Sequence, residues 1–185
     1  IDTVYAKNMA FNIGMIELIS YWKCCCSPKI IVKCGFLDNN QINFWKKIYF
    51  YGLGELFFTN NIKTDIGSFV NIECLKNDNE FNYKVIEDES DGYIVPIGGG
   101  KDSVVTLETL KINKNRDFAL IINPKPVTRK CAEIAGLADN NIIEVYRSID
   151  KRLIDLNSKG FINGHTPFSA MLAFVSYFVA YLLSK

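Results

Sequence analysis

The residues offering the most chemistry stand together at Gly98, Gly99, Gly100, Lys101, Asp102 and Ser103. An apolar run, Tyr93 to Ile97, precedes them, and Val104, Leu107 and Leu110 follow at nearly helical spacing. The pattern predicts a short strand, a glycine turn and a helix. Glycines let backbone N–H groups approach a ligand with no Cβ in the way. A helix start adds unpaired N–H groups and the positive end of the dipole, and both favour an anion. Lys101 brings a point charge, Ser103 a hydroxyl, and Asp102 a carboxylate that could hold Mg²⁺. The chemistry offered is phosphate binding. Two common phosphate loops do not fit. A Walker A loop needs glycine where Val95 stands and Ser or Thr where Asp102 stands, and the dinucleotide fingerprint needs glycine where Ser103 stands. The plainer reading is a tight turn that merely requires glycine.

The run does resemble the PP-loop pattern Ser-Gly-Gly-x-Asp-Ser, with Gly98 replacing the leading serine. Enzymes with that loop split ATP into AMP and pyrophosphate while activating a carboxylate, carbonyl or amide as its adenylate. Two further positions could do chemistry. Glu55 follows Gly52-Leu53-Gly54, and His165, the sole histidine, sits in Asn163-Gly164-His165-Thr166-Pro167. Pro167 suits a first helical turn, which makes a second helix start where an anion is welcome. In the plainer reading Glu55 is an exposed turn residue and His165 is structural.

The elements that must position these residues follow from the rest of the chain. A helix is expected over 9–22, with Phe11, Met15, Leu18 and Trp22 on one stripe. A β-branched strand is expected from Lys29 to Cys34, and a helix through Phe44, Trp45, Ile48 and Tyr49 after the caps Asp38, Asn39 and Asn40. Gly52–Phe58 reads as a glycine turn into a short strand. Residues 67–75 and 81–87 read as a hairpin. Glu87 to Gly92 is acidic and reads as a solvated linker. After it, strands at 93–97, 117–122 and 142–146 alternate with helices at 101–110, 128–135 and 148–156. That alternation implies βαβ units and a parallel sheet, whose ligands sit at the carboxyl ends of strands. Pro96 is a misfit inside a central strand.

The expected fold is therefore α/β. An N-terminal α+β subdomain over 1–90 precedes a doubly wound, parallel-sheet PP-loop domain of Rossmann-like type over 91–185, incomplete at its C-terminus. Both ends look cut, which suggests a piece of a longer protein. The 185 residues are 49% apolar, enough for a sizeable core, and 21 basic residues nearly balance 20 acidic ones. Such a balance argues against a nucleic-acid partner bound through phosphates alone. Six cysteines without a Cys-x-x-Cys pair argue against zinc and for reduced thiols in a cytoplasmic setting. Phe168 to Leu183 is apolar throughout. At about 16 residues it falls short of the ~20 that a bilayer needs, so a buried helix and no membrane is the expectation.

Several segments together resemble the UDP-N-acetylmuramoyl-L-alanyl-L-glutamate epimerase (MurL) family. They are Gly14 to Lys23, Phe44-Trp45-Lys46, Gly52 to Phe57, Val95 to Ser103, Cys131 to Leu137, and Asn163 to Pro167. The resemblance implies conversion of the terminal L-glutamate of UDP-MurNAc-L-Ala-L-Glu to D-glutamate, consuming ATP with Mg²⁺, in peptidoglycan synthesis. It further implies that Gly98 to Ser103 hold the β,γ-phosphates or pyrophosphate, with Asp102 reaching Mg²⁺ through the nucleotide. Asn163, Gly164 and His165 would lie near the α-phosphate. His165 and Glu55 are candidate bases by residue type. The competing readings are a PP-loop adenylating enzyme of tRNA modification or amidation, a nucleotide-binding module without turnover, and a membrane-anchored protein.

Overall fold

The computed structural model describes residues 2–75 and 92–183. Its elements run α1 (Thr3–Trp22), β1 (Lys29–Val32), α2 (Asn39–Gly52), α3 (Gly54–Thr59), β2 (Asn71–Cys74), β3 (Ile94–Pro96), α4 (Lys101–Leu110), β4 (Phe118–Ile122), α5 (Pro126–Ile134), β5 (Ile142–Val145), α6 (Lys151–Ser158) and α7 (Phe168–Leu183). The chain divides into two compact units, Ile1–Lys84 with Ile149–Val175, and Val85–Ser148 with Ser176–Lys185. Residues 149–175 thus belong by contact with the first unit, although the sequence division at residue 90 sets them with the second. The architecture is mixed α/β with parallel sheets.

In the first unit, β1 and β2 pair in parallel, with Ile30 opposite Ile72 and Val32 opposite Cys74. This parallel pairing is not expected from the sequence, which reads as α+β over 1–90. Parallel strands need a crossover, and here α2 and α3 provide it. The partner strand foreseen at 81–87, like most of the acidic run at 87–92, lies outside the described residues. The core is aromatic. Trp45 and Tyr49 of α2 are fully buried with Leu53 and Leu56, and Trp45 stacks on Phe174 with ring centroids 5.1 Å apart. Trp22 meets the edge of Phe69 at 5.8 Å. Helix α2 starts with a capping box, in which the Asp38 side chain takes the Gln41 N–H and Gln41 takes that of Asp38. Residues 54–59 are helical, not the expected strand. Leu56 is the buried position of that single turn and a half, with Glu55 and Phe58 left exposed; a strand's period of two would have buried Phe58 together with Leu56.

In the second unit the strand order is β3-β4-β5, all parallel. It contains no reversal among the described residues. Val95, Ile97, Leu107, Ala119, Ile121, Ala132 and Leu137 form its core. Pro96 is tolerated because β3 is an edge strand among those described, so the missing N–H interrupts no second ladder. Of the expected α4 stripe only Leu107 is fully buried, while Val104 is exposed. Asp117, just before β4, is wholly buried. Its carboxylate accepts from the amides of Tyr93 at 2.9 Å and Asn113 at 2.6 Å, tying the entry of β3 to that of β4. Among the described residues no helix is long and apolar enough to cross a membrane. None of the six cysteines is in a disulfide among the described residues.

Candidate functional site

Two sets of side chains predicted from sequence are seen here, one in each unit. The first is the glycine turn at the carboxyl end of β3. The chain leaves the sheet at Ile97, whose amide still bonds to Leu120 at 2.8 Å, and enters α4 at Lys101. Gly99 has φ +81°, a left-handed conformation that favours glycine. A Cβ there would lie 3.0 Å from Thr128 Cγ2 and 3.2 Å from Val127 Cγ1. Nothing within 4 Å would obstruct one at Gly100, so there the need is for open space and not for packing. Gly98, Gly100, Lys101 and Asp102 are exposed. The amides of Gly99, Gly100, Lys101 and Asp102 carry no hydrogen bond among the described residues. Ser103 does something unforeseen. Its hydroxyl accepts the N–H of Gly98 at 3.0 Å and so braces the turn from within. The turn is an exposed row of free donors.

The second set lies in the first unit. His165 and Glu55, 110 positions apart, face one another, and Nδ1 stands 2.8 Å from both carboxylate oxygens. A carboxylate only accepts, so Nδ1 donates, and in the neutral ring Nε2 holds the lone pair. Both side chains are open to solvent, 85% and 57% exposed. Asn163 accepts the Gly164 N–H at 2.9 Å. That amide is therefore spent within the turn and not presented to a ligand.

The turn itself is clamped. A Cβ on Gly52 would fall 2.7 Å from Pro167, and one on Gly164 would fall 3.3 Å from Leu56. Lys23, at the end of α1 and only 7% exposed, donates to the Gly164 carbonyl. Sequence reasoning gave no role to Lys23, Leu56 or Thr128. Their contacts span tens of residues and leave no local pattern. Burial pushes the Cys24 thiol up, with the Lys23 charge pulling the other way, and burial also pushes Cys26 up. Neither is suited to work as a thiolate at neutral pH.

No group of three or more His, Cys, Asp or Glu among the described residues could hold a metal ion.

Comparison with known proteins decides the family. The model of the MurL N-terminal domain matches residues 2–185. The chain belongs to the MurL family. One MurL relative, the UDP-N-acetyl-alpha-D-muramoyl-L-alanyl-L-glutamate epimerase of Xanthomonas oryzae pv. oryzae, is 28% identical over 159 residues, covering 85% of this chain and 33% of its own. Proteins of the same name from Micromonospora sp. and Salinispora tropica are 37% identical over 86 residues and 35% over 80, covering 46% and 43% of this chain. The chain spans about a third of the length of the Xanthomonas relative and 19% and 17% of the other two. No solved structure matches it.

Proposed function

We propose that this chain is the N-terminal part of an epimerase. The enzyme inverts the terminal glutamate of UDP-MurNAc-L-Ala-L-Glu, using ATP and Mg²⁺, for peptidoglycan synthesis. The observation carrying this reading is the Glu55–His165 pair in a member of the MurL family. A carboxylate fixes one nitrogen of an exposed imidazole and leaves the other as a base.

The glycine turn fits a phosphate group. Gly99 fills a place where a Cβ would strike Thr128, and the four free amides of 99–102 point to no partner of their own. Gly98 to Ser103 would hold the pyrophosphate end of ATP, Lys101 would neutralise it, and Asp102 would meet its Mg²⁺. When bound, ATP would supply the adenylyl group to a glutamate carboxylate oxygen, with pyrophosphate leaving, which makes the acyl carbon a good electrophile.

The need for that activation is electrostatic. Removing the α-proton beside a free carboxylate places two negative charges together, whereas beside an adenylated carboxyl group the electron pair moves into the carbonyl. His165 Nε2 then accepts the Cα proton, with Glu55 stabilising the imidazolium through Nδ1. The C–H electron pair passes into the acyl carbonyl. A proton returns to the opposite face of Cα from a second donor or from water, and water releases AMP.

In the full-length protein, Asp102→Ala and Ser103→Ala should abolish AMP formation in the presence of the dipeptide substrate. Ordinary turnover in both variants refutes the assignment of the loop.

A further inference from the structure

We propose that Lys23 is a positioning residue for His165; this rests on the reading of His165 as the Cα base. Lys23 ends α1, where the chain turns sharply. Cys24 and Cys26 bond back to the carbonyls of Tyr21 and Trp22, and Cys26 sits at φ +46°. Trp22 next to it is buried, and its indole N–H donates to Ser27 at 2.8 Å. The start of the lysine side chain is thereby fixed. The residue as a whole is only 7% exposed, and its ammonium reaches the turn before His165. Lysine is rarely buried to that degree unless its head group is bound.

One of its partners is the Gly164 carbonyl. That oxygen belongs to the peptide bond leading into His165. Holding it fixes the plane of the peptide and so the direction in which the imidazole leaves the backbone. The remaining supports act on other atoms of the same turn. Asn163 takes the Gly164 amide, Leu56 abuts Gly164 Cα, Gly52 receives Pro167, and Glu55 holds Nδ1. Lys23 is thus the buried, charged hold on the backbone of a side chain that is itself exposed. It touches no reacting atom in this arrangement.

The test uses the full-length protein, with deuterium wash-in at the glutamate Cα and dipeptide-dependent pyrophosphate–ATP exchange measured side by side. Lys23→Met keeps the length and removes the donor. It should lower kcat for wash-in by roughly 100-fold, the order expected for a misplaced catalytic group. KM for the dipeptide and pyrophosphate exchange should stay within about threefold of the unmodified enzyme, the range in which uniform binding is intact. Lys23→Arg, which retains a donor, should recover most of the loss. Unchanged wash-in in Lys23→Met, or equal loss of wash-in and exchange, overturns the assignment of Lys23. Absence of wash-in in the unmodified enzyme instead overturns the reading of His165 on which it rests.

Discussion

The glycine turn and the histidine turn are built in opposite ways. The first is local. Its brace links Gly98 to Ser103, five positions apart, and its chemistry lies in backbone amides. The second is assembled from afar. Its Glu55–His165 hydrogen bond joins residues 110 positions apart, and its buried support reaches across 141. Binding an anion needs only a row of free donors, which one strand–turn–helix can supply. Aiming a base needs a rotamer fixed from several sides, and no single segment can do that. The two should fail differently under mutation.

The largest effect is expected at the local turn. Gly99→Val adds a branched side chain at φ +81°, against Thr128 and Val127. Backbone strain and clash act together there. ATP-dependent turnover of the full-length protein should fall by more than about 1,000-fold, as when several charge-stabilising donors are lost at once. Gly100→Ala, with nothing within 4 Å, should be far milder. Equal effects of the two would remove the claim that packing against α5 shapes the loop.

Next come the members of the pair. His165→Ala should cost roughly 100- to 10,000-fold in wash-in, the span typical of a general base. Glu55→Gln should also lower wash-in, because the ring remains but its orientation and charge support weaken. Because both side chains are exposed, their contact contributes at most about 1 kcal/mol to stability. Thermal unfolding of either variant should therefore match that of the parent. A large drop in Tm with proportional loss of activity would recast the pair as structural.

These contrasts mirror what could be read from the chain beforehand. Three glycines between an apolar run and a helical period announce a turn, and Lys-Asp-Ser announces what it could hold. Glu55 and His165 were visible only as residue types. Nothing in Gly52-Leu-Gly-Glu55 shows that it approaches Asn163-Gly-His165. Residues 54–59 read as a strand because two phenylalanines follow Leu56, but tertiary burial of Leu56 alone suits a helical turn. Strands β1 and β2 pair in parallel because α2 carries the chain back between them, a fact of topology and not of local propensity. Lys23 was unreadable for a related reason, since a lysine after a tryptophan looks like an exposed helix end.

The smallest effect concerns the scaffold beneath the histidine turn. Tyr49 is fully buried and its hydroxyl donates to the Met15 carbonyl, tying α2 to α1. Burial pushes its phenol well above the ordinary value of 10. A raised folded-state pKa means that this contribution to stability is complete below pH 10 and declines as the pH rises beyond it. Tyr49→Phe should lower stability by about 1 kcal/mol at neutral pH and flatten the loss between pH 10 and 12. An unaltered alkaline profile would contradict the burial of this phenol.

The most direct measurement for the account as a whole is deuterium wash-in at the glutamate Cα of UDP-MurNAc-L-Ala-L-Glu by the full-length protein, with and without ATP. Exchange that requires ATP, is lost in His165→Ala and is lost again in Asp102→Ala is the predicted result. Exchange at the same rate without ATP, or exchange that survives both substitutions, would contradict it.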